Sequence, residues 1–200
     1  VECWTGATGE PGLVRVASAL RRSITPEALT TGTVQSPPGV SSILAPTVGP
    51  LAESAVAAIG ERLVGPAHAT GRVVLLDCGR WARSQTTARR IIGCDALVVV
   101  CHPTLAGIET ARALVDSLDA AVESTVSLLL VGDRPYRERE VAEATGVPVA
   151  GALPWDARAV NDLFTSGPSR GWLRTGLARA ARAALATVIE SVRTTEDAVA

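Results

Sequence analysis

The sequence predicts an α/β fold in which a doubly wound, mainly parallel sheet lies between layers of helices. Short apolar runs bounded by turn residues alternate with longer stretches whose apolar residues recur at helical spacing. None of these runs alternates apolar with polar residues, which is typical of parallel strands covered on both faces. A chain of 200 residues, 47% of them hydrophobic, is long enough to bury a core of its own. We therefore expect one α/β domain over residues 1–193.

The front half of the chain contains two predicted helices, one weak strand and one strong strand. Residues 13–22 and 51–64 each carry an apolar stripe at helical spacing. Residues 30–50 are rich in Thr, Gly, Ser and Pro, so we expect a surface connection around a weak strand at 40–45. The apolar run at 72–77 is the first predicted strand of the sheet.

The back half repeats a strand–helix unit, which favours a parallel sheet with helical crossovers. Gly146 is the predicted C-cap of one helix, and residues 194–200 are expected to form a frayed tail. The predicted strands are residues 96–101, 126–132 and 147–153, and the predicted helices are residues 104–118, 136–145, 156–164 and 172–193.

Composition and charge exclude several classes of function. The net charge is -1 and the aromatic content is 3%, so nothing favours a nucleic-acid binder or a stacking platform for single strands. No apolar run is long enough to span a bilayer, and no secretory signal opens the chain. Because the chain contains no Met, we expect a segment to have been removed before Val1. We expect a cytoplasmic protein with reduced thiols at Cys3, Cys78, Cys94 and Cys101.

The residues that leave the predicted strands are the candidate ligand-binding residues, because ligands bind beyond the carboxyl ends of parallel strands. Asp77 follows four apolar residues, as the Mg²⁺-holding acid of a Walker-B strand does. From this pattern alone, an Asp that caps the next helix is an equally good interpretation. The strand ends carry Asp77, Cys78 and Gly79, then Cys101, His102 and Pro103, then Gly132, Asp133 and Arg134, and finally Pro154, Trp155 and Asp156.

Four motifs occur in a characteristic order at these strand ends. They are Val73-Val-Leu-Leu-Asp-Cys-Gly79, Cys94-Asp-Ala-Leu-Val-Val-Val-Cys-His-Pro103, Leu128-Leu-Leu-Val-Gly-Asp-Arg134 and Gly151-Ala-Leu-Pro-Trp-Asp156. Together they resemble the MinD/ParA family of P-loop ATPases over about residues 40–193. Residues 1–22 resemble the stretch that follows the family's second strand, so the resemblance implies that the first strand and phosphate loop lie upstream.

The resemblance implies an ATP-dependent homodimer that positions chromosomes, septa or pili and uses ATP with Mg²⁺. Carried over by position, Asp77 matches the Walker-B acid that holds the metal, and Gly79 matches the adjoining switch. Asp133 stands where the family more often has Asn, and no residue is assigned as catalytic. The residues that match the two base-contacting loops are Gly132, Asp133, Arg134, Pro154, Trp155 and Asp156.

The phosphate loop of such ATPases, G-x-x-x-x-G-K-[ST], needs a Lys, and all 19 basic residues of this chain are Arg. Residues 6–12 are glycine-rich, but they contain Glu10 and no predicted strand precedes them. We therefore expect this chain alone not to hydrolyse ATP. Three interpretations stay open: a switch ATPase completed by an upstream loop, a pseudo-ATPase adaptor that binds partners without turnover, and a binding domain unrelated to nucleotides.

Other motifs favour simpler interpretations. Gly167-Pro-Ser-Arg-Gly171 fits G-x-S-x-G, but a predicted helix precedes it, so we interpret it as a turn. The spacing of Cys78, Cys101 and His102 favours strand-end thiols over a zinc site. Scattered Arg residues, as in Arg134–Arg139, are interleaved with Glu, which favours a solvated face over nonspecific DNA binding. The last helix lacks large aromatic anchors beyond Trp172, so packing on the sheet is favoured over peripheral membrane contact.

Overall fold

The computed structural model of the protein describes residues 12–36, 40–79, 93–118 and 124–199. The chain divides into two compact units, Val1–Ile92 and Gly93–Ala200. The single domain predicted over residues 1–193 stays a prediction. None of the helices within the described ranges is long and apolar enough to cross a bilayer.

The first unit consists of short helices and a two-stranded antiparallel hairpin. The hairpin pairs Thr33 with Ile43 and Ser36 with Val40. Its elements are α1 (Gly12–Arg22), α2 (Pro26–Thr30), β1 (Thr33–Ser36), β2 (Val40–Ile43), α3 (Gly49–Ile59), a 3-10 turn (Gly60–Leu63) and α4 (Val64–Ala69).

The core of the first unit lies between its helices. Val16 and Leu20 of α1 are fully buried, and they pack with Leu29 of α2 and Ile59 of α3. The predicted helices at 13–22 and 51–64 are confirmed, the second as α3 continued by the 3-10 turn. Their apolar stripes are what the core buries.

Two predictions for the first unit were incomplete. The weak strand predicted at 40–45 exists as β2, but it pairs with β1, which the sequence did not indicate. β1 is the short, largely polar segment Thr-Val-Gln-Ser, and α2 has only five residues. Segments this short carry too few apolar residues to show a period, so they were missed within the predicted surface connection.

The strand predicted at residues 72–77 is wrong. Residues 73–79 adopt no regular structure, and the four apolar side chains from Val73 to Leu76 are between 42% and 81% exposed. A parallel strand is stabilised by hydrogen bonds to neighbouring strands, and among the described residues no strand pairs with this run. The apolar composition was therefore not enough to form a strand.

The second unit contains a three-stranded parallel sheet in the order β3-β4-β5. β4 is central, with Ala96 of β3 beside Thr125, and Val131 beside Leu153 of β5. The elements are β3 (Ala96–Cys101), α5 (Leu105–Asp116), β4 (Thr125–Val131), α6 (Glu138–Thr145), β5 (Val149–Leu153), α7 (Ala157–Ser166), a 3-10 turn (Trp172–Arg174) and α8 (Gly176–Val199).

Helices cover both faces of this sheet. On one face, Leu128 and Leu130 of β4 are buried with Ile108 of α5 and Val141 of α6. On the other face, Ser127 lines a small cavity together with Val188 of α8. Alternate residues of β4 thus point to different helical layers, as a period of two requires. The predicted α/β class with a parallel sheet between helices is confirmed.

The predicted elements of the second unit are confirmed, and the last helix is longer than predicted. β3 occupies the predicted residues 96–101, and Gly146 caps α6 in a left-handed conformation with φ of 71°. The last helix, α8, extends to Val199, beyond the predicted end at residue 193, and the fraying predicted for residues 194–200 stays a prediction. Helical hydrogen bonds continue there along a polar stretch that shows no apolar period, so the sequence pattern ended before the helix did.

Candidate functional site

The carboxyl ends of β3, β4 and β5 meet at one edge of the parallel sheet, and backbone hydrogen bonds join the segments that leave them. The amide of Gly132, after β4, donates to the carbonyl oxygen of Leu153 at the end of β5, at 2.8 Å. The amide of Tyr136 donates to the carbonyl oxygen of Pro103, after β3, at 3.2 Å. The two predicted base-contacting loops, residues 132–134 and 154–156, therefore lie side by side.

Gly132 gives the chain a conformation that other residues rarely adopt. Its φ is +94°, where an L side chain is strained, although a Cβ there would come no nearer than 4.0 Å to Pro103. The need for glycine thus comes from the backbone turn and not from crowding. This turn directs Asp133 and Arg134 away from the strand, and both side chains are exposed.

Two helices begin at this edge, each capped by the side chain that precedes it. Thr104 Oγ1 accepts a hydrogen bond from Gly107 N at 3.2 Å and caps α5. Asp156 Oδ1 accepts one from Ala159 N at 2.9 Å and caps α7. Asp156 therefore has a structural function in its own helix, and its predicted contact with a base stays a prediction.

An aromatic side chain and a histidine stand together at the same edge. Trp155 is 74% exposed, and its ring centroid lies 6.0 Å from that of His102, with the planes inclined at 49°. His102 Nδ1 lies 2.9 Å from the carbonyl oxygen of Val131. A single imidazole thus connects the ends of all three strands. The sequence places His102 at a strand end and in the Cys94–Pro103 motif, but the only function considered for its side chain was that of a zinc ligand. The signal available was its position directly after β3.

Asp77 and Gly79, the other predicted site residues, belong to the first unit. Asp77 is exposed, and its Oδ1 accepts a hydrogen bond from Gly79 N at 2.8 Å. Gly79 has φ of +64°, which closes this small turn. The strand predicted to present the carboxylate is not formed, so the metal-binding function of Asp77 stays a prediction.

The described residues fit one end of a nucleotide better than the other. Trp155 offers an open aromatic face to a base, and His102 offers polar ring nitrogens beside it. The phosphate end needs backbone amides and a Lys, and the chain has no Lys. Residues 6–11 lie outside the described residues, and Gly12 begins α1. No cluster of three or more His, Cys, Asp or Glu in the described ranges could hold a metal.

The two motifs set aside from the sequence have ordinary surroundings. Burial raises the pKa of the Cys101 thiol above its usual value of 9.0, which disfavours the thiolate that zinc requires. The Gly167–Gly171 motif follows α7, and Ser169 Oγ accepts a hydrogen bond from Trp172 N at 3.1 Å. The prediction of a turn there is confirmed, because a helix and not a strand precedes the serine.

Comparison with known proteins finds a relative in structure. No protein-family model matches the sequence, and no curated protein matches it. The crystal structure of a ParA family ATPase from Chlorobium tepidum TLS superposes with a TM-score of 0.65 at 17% sequence identity, and the match covers 90% of this chain and 77% of that chain. The chain therefore has a fold similar to that of a ParA-type P-loop ATPase.

Proposed function

We propose that this chain forms the body of a ParA-like switch ATPase, in which ATP binding drives homodimerisation and hydrolysis reverses it. The observation that carries the proposal is the meeting of residues 132–134 and 154–156 at one sheet edge, through the hydrogen bond from Gly132 to Leu153. The similarity in fold to a ParA family ATPase supports it. The dimer would act in the cytoplasm on a protein cargo.

In this proposal the chain's own residues bind the base of the nucleotide. Trp155 would stack on the base, since an exposed indole face matches a planar heterocycle. Asp133 and Arg134 would contact its edge or the sugar, and Asp77 would hold Mg²⁺ directly or through water. The phosphates need a loop that the described residues do not supply, so we assign that loop to residues upstream.

A pseudo-ATPase adaptor is the second candidate, and one observation favours it. The chain contains no Lys, and Lys supplies the charge that a Walker-A loop places on the phosphates. An adaptor would keep the sheet and the dimer surface and would capture partners without turnover. The two candidates differ in whether the intact protein binds Mg²⁺-ATP.

The test is nucleotide binding by the intact native protein, after its mass has established where it begins. Calorimetry should detect Mg²⁺-dependent ATP binding, and light scattering should show the mass doubling with ATP but not with ADP. The 200-residue chain serves as the matched control and should bind no ATP. A folded intact protein that binds no nucleotide would overturn the ATPase proposal and leave the adaptor.

A further inference from the structure

His102 makes a hydrogen bond that determines which of its ring nitrogens carries the proton. Its Nδ1 lies 2.9 Å from the carbonyl oxygen of Val131, and a carbonyl oxygen can only accept. Nδ1 must therefore carry the hydrogen and donate it. In the neutral ring the lone pair then resides on Nε2, which is a hydrogen-bond acceptor.

The ring that carries this acceptor lies beside an aromatic side chain that is open to solvent. Within the described ranges, the hydrogen bond of the His102 ring is the one from Nδ1 to Val131, so Nε2 is available to a ligand. His102 is exposed, and its ring lies 6.0 Å from the ring of Trp155, which is itself largely exposed. A planar group stacked on Trp155 would thus have an acceptor within reach of its edge.

We propose that His102 determines the base specificity of this edge by accepting a hydrogen bond from the exocyclic amine of a 6-aminopurine. The inference rests on the proposed function, in which Trp155 stacks on the base of a nucleotide. A 6-oxopurine presents an acceptor at the same position, where it would oppose the Nε2 lone pair. Binding of such a base would leave both acceptors without a hydrogen-bond donor, and this loss makes the 6-oxopurine bind more weakly.

The matched pair of ligands is ATP and ITP, which differ in the base only at position 6 and the adjacent N1 proton. We expect the intact protein to bind ATP about tenfold more tightly than ITP at about pH 8, the effect of one hydrogen bond gained against one polar group left unpaired.

His102→Asn is the control variant, because its amide nitrogen can replace Nδ1 in the bond to Val131 while the Nε2 acceptor is lost. We expect His102→Asn to bind ATP and ITP equally, with thermal unfolding unchanged. Nitrogen-15 NMR gives a readout that needs no ligand: the imidazole signals that disappear in His102→Asn should report the Nδ1–H tautomer at about pH 8.

The outcomes separate this inference from the proposed function. Tight binding of both nucleotides with no preference, or a preference that survives in His102→Asn, would overturn the specificity of His102 and leave the ATPase proposal standing. The Nε2–H tautomer at about pH 8 would overturn the inference even without a ligand. Binding of neither nucleotide, with the expected tautomer present, would overturn the proposed function itself and the base contact that depends on it.

Discussion

Similar apolar runs adopt different structures in the two units of the chain. In the second unit, Ala96–Cys101 forms a strand hydrogen-bonded to β4, and Leu128 of β4 is fully buried. In the first unit, the run from Val73 to Leu76 is exposed and has no regular structure. Both runs are apolar and rich in Val and Leu. Among the described residues, only the run in the second unit has a neighbouring strand, so partners and not composition decide whether such a run forms a strand.

The largest expected effect contrasts a buried leucine with an exposed one. Leu128→Ala should lower the free energy of unfolding by about 2–5 kcal/mol, because it removes methyl groups from a close-packed core. Leu75→Ala should lower the free energy of unfolding by less than about 0.5 kcal/mol, because Leu75 is 81% exposed. Urea denaturation followed by circular dichroism measures both. Equal losses would show that residues 73–76 are buried in solution and would restore the predicted strand.

A second contrast uses two glycines in helices, one from each unit. Gly107→Ala should lower the free energy of unfolding by about 1–3 kcal/mol, because the new Cβ would overlap the backbone carbonyl oxygen of His102. At Gly65 in α4 a new Cβ would meet open space. Gly65→Ala should therefore raise the free energy of unfolding by up to about 1 kcal/mol, since Ala stabilises a helix more than Gly does.

The same denaturation experiment measures this pair, and the NMR signals of His102 report whether its carbonyl has moved. Gly107→Ala with unchanged stability would mean that α5 can shift away from the sheet edge. In that case the geometry that holds His102 against Val131 would be looser than the 2.9 Å contact indicates.

The smallest effect on stability separates two aspartates that follow apolar runs. Asp156→Ala should lower the free energy of unfolding by about 1 kcal/mol, because the Asp156 carboxylate caps α7. Asp77→Ala should lower it by less than about 0.5 kcal/mol, because the Asp77 carboxylate accepts a hydrogen bond only within an exposed turn. In the intact protein, however, Asp77→Ala should abolish Mg²⁺-dependent ATP turnover. Asp116→Ala, an exposed carboxylate at the end of α5, is the control and should leave turnover unchanged.

Turnover by Asp77→Ala at the normal rate would contradict the Walker-B interpretation. A stability loss as large as that of Asp156→Ala would contradict the exposed turn instead. The two readouts therefore test the predicted metal function and the local structure separately.

Much of the second unit was predictable because its elements are local and strongly patterned. The strand at residues 96–101 and the cap at Gly146 follow from an apolar run and from a glycine after a helix. The first unit was less predictable. β1 has four residues of mixed polarity, and its pairing with β2 depends on residues that come later in the chain.

The candidate site shows the same division. The sequence identified the residues at each strand end, including Gly132, Trp155 and Asp156, because the carboxyl ends of parallel strands are ligand-binding positions. The Asp156 cap of α7 is a local contact, only three positions long, and an Asp directly before a helix is its usual signal. The sequence could not indicate that His102 reaches across the end of β4 to Val131, because residues 29 positions apart leave no periodic signal.

By itself, the sequence determined the α/β class, the alternation of strands and helices in the second unit, and the absence of a phosphate-binding Lys. These are properties of composition and local period, which each segment carries on its own. Only the tertiary structure decided that residues 73–76 stay exposed and that one imidazole joins three strand ends. Burial and hydrogen bonding depend on which segments become neighbours, and the sequence of one segment does not specify which other segments will lie beside it.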